Sequence, residues 1–116
     1  MIVTLCRVKA VGVIMSDVKH CGGVLEMTRI AAMAEIFGVT VAPHNPTGPV
    51  STAASIQLCA GMKNFRVLEL QWGEVEWRGA LVTPVERFER GTIAVPSGPG
   101  FGITLNEELT REKRMV

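Results

Sequence analysis

Charge is scarce in this chain of 116 residues: 20% are Asp, Glu, Lys or Arg, and twelve basic against eleven acidic side chains leave a formal net charge of +1. That balance gives no electrostatic footprint for nucleic acid, and the nearest thing to a basic patch, the terminal TREKRMV, reads as a solvated helix end. Long apolar runs are missing too. None approaches the roughly 18 residues a membrane span needs, and Arg7 and Lys9 interrupt MIVTLCRVKAVGVIMSD where a signal peptide keeps an uncharged stretch. Cys6, Cys21 and Cys59 are few, widely spaced and without a CxxC pair, which argues against a disulfide framework or a zinc knuckle. Cys6 and Cys59 sit among apolar residues as ordinary core cysteines. The expectation is a reduced, cytoplasmic setting with neither a nucleic-acid nor a membrane partner.

What the chain does have is apolar surface to bury. Hydrophobic residues make up 47% of it, and its length suits a single domain with a modest core. AVGVIMSD (10–17) is a continuous apolar run ending in a carboxylate, as in a strand buried on both faces. Gly22 and Gly23 turn the chain. From Val24 to Phe37, Met27, Ile30, Ala31, Ala34 and Phe37 follow helical spacing opposite Glu26, Arg29 and Glu35, with Gly38 placed as a C-terminal cap. VTVAPH (39–44) is the next strand, and NPTGP (45–49) can continue neither strand nor helix. Ser51 is positioned to cap a helix over STAASIQLCAGM, which is small or apolar nearly all round. RVLELQW (66–72) gives a third strand. The alternation points to an α/β fold of parallel βαβαβ type with right-handed crossovers, followed from Trp72 by an irregular C-terminal segment of short extended pieces and turns.

Each strand ends in an ionisable residue: Asp17, His44 and Glu69. In parallel α/β folds the carboxyl ends of the strands are where loops converge over a common mouth. Adjacent parallel strands lie about 4.8 Å apart, so an aspartate and a histidine at neighbouring tips can hydrogen bond without distorting the sheet. A carboxylate on one ring nitrogen fixes the tautomer and raises the basicity of the other, which makes Asp17 and His44 a candidate acid–base dyad. Structural readings stand beside this one. Asp17 alone can cap a helix or form a turn before Gly22, and a histidine flanked by prolines can cap a turn. Glu69 is the stronger anomaly, since a carboxylate within an apolar strand is costly unless partnered or functional.

DVKHCGG (17–23), VAPHNPTGPVSTAAS (41–55), NFRVLELQ (64–71) and VPSGPGFGITLN (95–106) together resemble the carboxyl-terminal part of the mandelate racemase group of the enolase superfamily. The sugar-acid dehydratases, such as galactonate dehydratase, are the nearest likeness. The resemblance runs from about residue 8 to residue 109 in order and spacing. It implies a modified (β/α) TIM-type barrel of which residues 1–116 form a single incomplete domain, supplying the sixth, seventh and eighth strands and the segment returning toward the capping domain. It also implies that Asp17 and His44 are the catalytic dyad and that Glu69 sits near the substrate carboxylate, helping to stabilise an enediolate. The implied chemistry is proton removal next to a carboxylate and loss of the neighbouring hydroxyl, with magnesium as cofactor. The family's metal ligands lie on the third to fifth strands, and this chain carries none of those strands, so no metal ligand is assigned here. Ser16 replaces a proline common before the Asp, and Phe101 a leucine.

Lys19 and His20, on the loop after the sixth strand, and Asn45, beside His44, are candidate substrate-binding residues, with a solvated loop and a turn before Pro46 as the structural readings. A zinc site from His20, Cys21, Asp17 and His44 lacks paired ligand spacing. Trp72 and Trp77 read as a plug over the barrel rim. SGPGFG reads as a turn, since no strand-to-helix step of a phosphate loop surrounds it. Met1 falls inside what the resemblance makes the helix leading to the sixth strand, and three strands cannot close a barrel. The expectation is therefore a portion of a sugar-acid dehydratase, inactive alone, with a sugar acid as substrate and a second copy or a complementary barrel portion as partner. A racemase or epimerase of the same superfamily, a non-catalytic oligomerising remnant and a small binding module are the alternatives.

Overall fold

Two short runs, β1 (Val13–Ile14) and β2 (Thr40–Val41), pair in parallel, with Val13 opposite Thr40 and Ile14 opposite Val41. A parallel pair needs a crossover, and the 13-residue helix α2 (Val24–Ile36) supplies it. Its apolar stripe works as the spacing predicts: Met27, Ala31 and Ala34 are buried while Arg29 and Glu35 face out. The helix ends through Gly38, whose φ of 70° only glycine adopts without cost. The Gly38 N–H donates to the Glu35 carbonyl and the Val39 N–H to the Ala34 carbonyl, and this paired arrangement delivers the chain directly into β2. A preceding helix, α1 (Ile2–Arg7), adds Cys6 to the core, which gathers Ile14, Val18, Met27, Ala31, Ala34, Val39, Val41 and Leu58.

The computed structural model describes residues 2–71, 73 and 75–113, so Trp72 lies outside the described residues.

Helix α3 (Pro49–Gly61) is buried on several sides, through Thr52, Ala53, Ala54, Ser55, Ile56, Leu58 and Cys59. Ser51 does not cap it. Gly48 is the capping residue and Pro49 opens the first turn, where a missing N–H is harmless and the fixed φ suits a helix. After α3 the chain runs alongside β2 as the sequence predicts, but the third strand is reduced to an isolated parallel bridge, Val41 to Phe65. Hydrogen bonds from the Arg66 N–H to the Val41 carbonyl (2.9 Å) and from the Glu69 N–H to the Pro43 carbonyl (3.2 Å) hold it in register. Paired on one side only, it lacks the second ladder that would regularise it. Nor is the first strand covered on both faces: Ile14 is buried, whereas Met15, which points the opposite way, is 57% exposed.

The remainder is irregular, as expected. A 3₁₀ turn (Arg78–Ala80) leads to β3 (Val82–Thr83), β4 (Phe88–Glu89) and β5 (Thr92–Ile93) form a hairpin, and β6 (Thr104–Leu105) returns antiparallel to β3. SGPGFG is a turn. Its Gly102 N–H donates to the Pro99 carbonyl, and a Cβ on Gly102 would meet Pro96 Cβ at 2.4 Å. Helix α4 (Glu107–Glu112) is exposed and is capped by the Asn106 side chain, which accepts from the Leu109 N–H.

Candidate active site

Register brings the three strand ends together. The His44 N–H donates to the Ser16 carbonyl at 3.1 Å on one side, and on the other the Glu69 N–H reaches the Pro43 carbonyl. Asp17 and Glu69 therefore flank His44 across the sheet. Asp17 Oδ2 lies 3.1 Å from His44 Nδ1, and Glu69 Oε2 lies 3.8 Å from His44 Nε2.

Asp17 is 5% exposed. Burial pushes its carboxyl up, but the Lys19 N–H donating to Oδ1 at 2.7 Å, the hydrogen bond with His44 and the nearby Lys19 and His20 charges outweigh this and hold it below the usual carboxylate value of 3.8. An ionised carboxylate only accepts hydrogen bonds, so Nδ1 must be a protonated nitrogen, and in the neutral ring the lone pair is on Nε2. The turn reading of Asp17 is realised as well: its carbonyl accepts the N–H groups of His20 and Cys21 at 3.1 and 2.9 Å. The turn fixes the carboxylate that the dyad uses. The open side of the imidazole is Nε2, on a side chain 41% exposed, and this arrangement can take a proton from a molecule placed over the strand ends. Glu69 is 42% exposed, so the cost anticipated for a buried strand carboxylate does not arise here.

The other candidates divide. Lys19 and His20 are exposed on the turn beside Asp17. Asn45 is fully buried and directs Nδ2 to Thr52 Oγ1 at 3.1 Å. Cys21 packs its thiol near Met27 Sδ at 3.9 Å, and burial raises its pKa. Burial also pushes the Cys59 thiol up to about 11. Trp77 is half-buried at the start of the 3₁₀ turn.

Three residues that sequence reasoning did not single out join this neighbourhood. Thr52 accepts from Arg78 Nη2 at 3.0 Å, and Arg78 pairs with Glu86 at 2.9 Å, both side chains largely buried. Thr52 lies on a helix face whose spacing marks it as buried; nothing in the spacing of Arg78 would have pointed to it.

The residues present do not fit a magnesium ion. Both oxygens of Asp17 are already engaged, and among the described residues no group of three or more His, Cys, Asp or Glu side chains could hold a metal.

The enolase C-terminal domain-like family matches residues 1–109. The D-xylonate dehydratase of Haloferax volcanii is 34% identical over 103 residues, covering 89% of this chain and 25% of that protein. The D-galactonate dehydratase of Ralstonia pickettii is 34% identical over 109 residues, covering 89% of this chain and 28% of that protein. The chain thus spans about a quarter of the length of these curated relatives. Among solved structures, a mandelate racemase/muconate lactonizing enzyme from Jannaschia sp. CCS1 superposes with a TM-score of 0.81 at 35% identity, covering 90% of this chain and 27% of that one. An enolase from Pantoea ananatis with bound D-gluconate and Mg gives 0.86 at 25% identity, covering 94% of this chain and 26% of that one. The crossovers, the register of the strand ends and these matches agree, and the chain belongs to the enolase C-terminal domain-like family, in the mandelate racemase and muconate lactonizing enzyme group of the enolase superfamily.

Proposed function

We propose that this chain is the proton-transfer portion of a sugar-acid dehydratase. The observation that carries the reading is the hydrogen bond between Asp17 and His44 Nδ1, which leaves Nε2 as a base on the open side of the strand ends. In this reading His44 Nε2 takes the proton from the carbon next to the substrate carboxylate. Asp17 holds the imidazole in the required tautomer and stabilises the imidazolium that forms. Glu69, within reach of the same nitrogen, faces the substrate carboxylate, and when it carries a proton it can donate a hydrogen bond to the developing enediolate. Lys19 and His20 contact the sugar acid from the adjoining turn.

A carbon acid next to a carboxylate is very weak, and His44 contributes proton transfer only. A magnesium ion would supply the larger electrostatic stabilisation, and the acids to hold it would have to come from outside the described residues. Activity accordingly requires a completed barrel. Exposed Met15, Phe65 and Val67 along the two outer strands favour docking of such a portion, or of a second copy. Three free thiols suit a reduced, cytoplasmic setting.

The test is a graft in which residues 8–109 replace the matching segment of a related sugar-acid dehydratase. With magnesium and a panel of sugar acids, dehydration is expected. His44→Ala should lower kcat by about 10²–10⁴-fold, the usual worth of a positioned base. Activity that survives His44→Ala would overturn the base assignment.

A further inference from the structure

We propose that Arg78, held by Glu86, is a positioning residue for His44 and acts through Thr52 and Asn45. The inference rests on the reading of His44 as the base.

Asn45 directly follows His44 and is fully buried, so its side chain anchors the backbone on which the imidazole stands. The anchor is the Thr52 hydroxyl. It accepts from Asn45 Nδ2 at 3.1 Å and from Arg78 Nη2 at 3.0 Å, and lies 3.3 Å from the Gly48 carbonyl, to which it donates. Its one proton is shared between the Gly48 carbonyl and the Thr47 carbonyl at 3.4 Å, and its two lone pairs are committed to Asn45 and Arg78. The guanidinium polarises the oxygen from the far side and makes that bond charge-assisted, while Glu86 at 2.9 Å neutralises a cation that would otherwise be costly to bury. The result is a polar chain from the irregular C-terminal segment, through α3, to the residue beside the base. On the sheet side, backbone bonds to Ser16 and from Glu69 fix where His44 begins. The Asn45 anchor fixes where it leaves. Together they set the angle at which Nδ1 meets Asp17.

The readout is the protonation pattern of the His44 ring in the full ¹⁵N-labelled chain, followed by long-range ¹H–¹⁵N spectra at neutral pH with His20 as internal reference. The wild-type chain should show the Nδ1–H form, which is the minor form of a free imidazole. Thr52→Val should lose that signature to the averaged pattern of a mobile ring while leaving His20 unchanged, and Thr52→Ser, which keeps the hydroxyl, should restore it. A folded Thr52→Val that retains the Nδ1–H form overturns the positioning role and leaves the base assignment standing. If Thr52→Val does not fold, Arg78→Lys decides by the same two outcomes, since it keeps a cation against Glu86 but loses the guanidinium fork that reaches Thr52. Absence of the Nδ1–H form in the wild-type chain overturns the base assignment itself, and this inference with it.

Discussion

From Cys6 to Met62 the chain buries apolar side chains between three helices and a pair of parallel strands, whereas from Trp77 to Lys113 Val82 and Gly102 are the buried residues among those described. Polar bonds tie the second region to the first: Arg78 to Thr52, and Gln57 Nε2 to the Pro96 carbonyl at 2.7 Å. A cleft of about 450 Å³ lined by Ala53, Ile56, Val82, Val85 and Pro96 separates α3 from the returning chain. The difference teaches where precision comes from. Apolar packing and ladder register bring Asp17 and His44 to one rim, and the returning segment contributes through the polar contact of Arg78 with Thr52.

Substitutions in the two regions should therefore differ in size. Met27 is 0% exposed at the centre of the core, so Met27→Ala should cost about 2–5 kcal/mol in chemical denaturation. A cost no larger than that of an exposed C-terminal position would erase the contrast. Gly102→Ala should cost less, about 1–3 kcal/mol, because the left-handed backbone and the close approach to Pro96 strain only the turn. Amide exchange should show this loss between residues 94 and 105 and leave α2 protected.

Acid sharpens the comparison further. The folded-state pKa of Asp17 is depressed, so its contribution to stability is fully present above the unfolded value of 3.8 and is lost as pH falls through the lower folded value. Stability measured from pH 7 to pH 2 should include a decline below about pH 4 that Asp17→Asn removes. The smallest effect is expected for Arg111→Ala in α4, whose pairing with Glu107 is fully at the surface. Its change should stay within about 0.5 kcal/mol.

Much of the first region was legible because its signals are local. A helical stripe ending in Gly38, β-branched runs, and ionisable residues at strand ends each follow from spacing of a few residues. Parallel crossovers then force Asp17, His44 and Glu69 onto one rim. Strand length was not legible, since a ladder's extent depends on partners on both sides, and Phe65 pairs on one side only. The start of α3 was misread at Ser51 although Pro49 carried the signal, an N-terminal proline just after a glycine. The contact among positions 45, 52 and 78 could not be read at all. No periodicity links a loop, a helix and a 3₁₀ turn, and only the folded arrangement makes them neighbours.

Exchange of the hydrogen on the carbon next to the carboxylate tests the central claim most directly. In deuterated water, a dehydratase carrying residues 8–109 of this chain should wash deuterium into unreacted sugar acid at a rate that His44→Asn abolishes and Asp17→Asn sharply reduces. Exchange that continues undiminished in either variant would mean that the imidazole held by Asp17 is not the group that moves the proton.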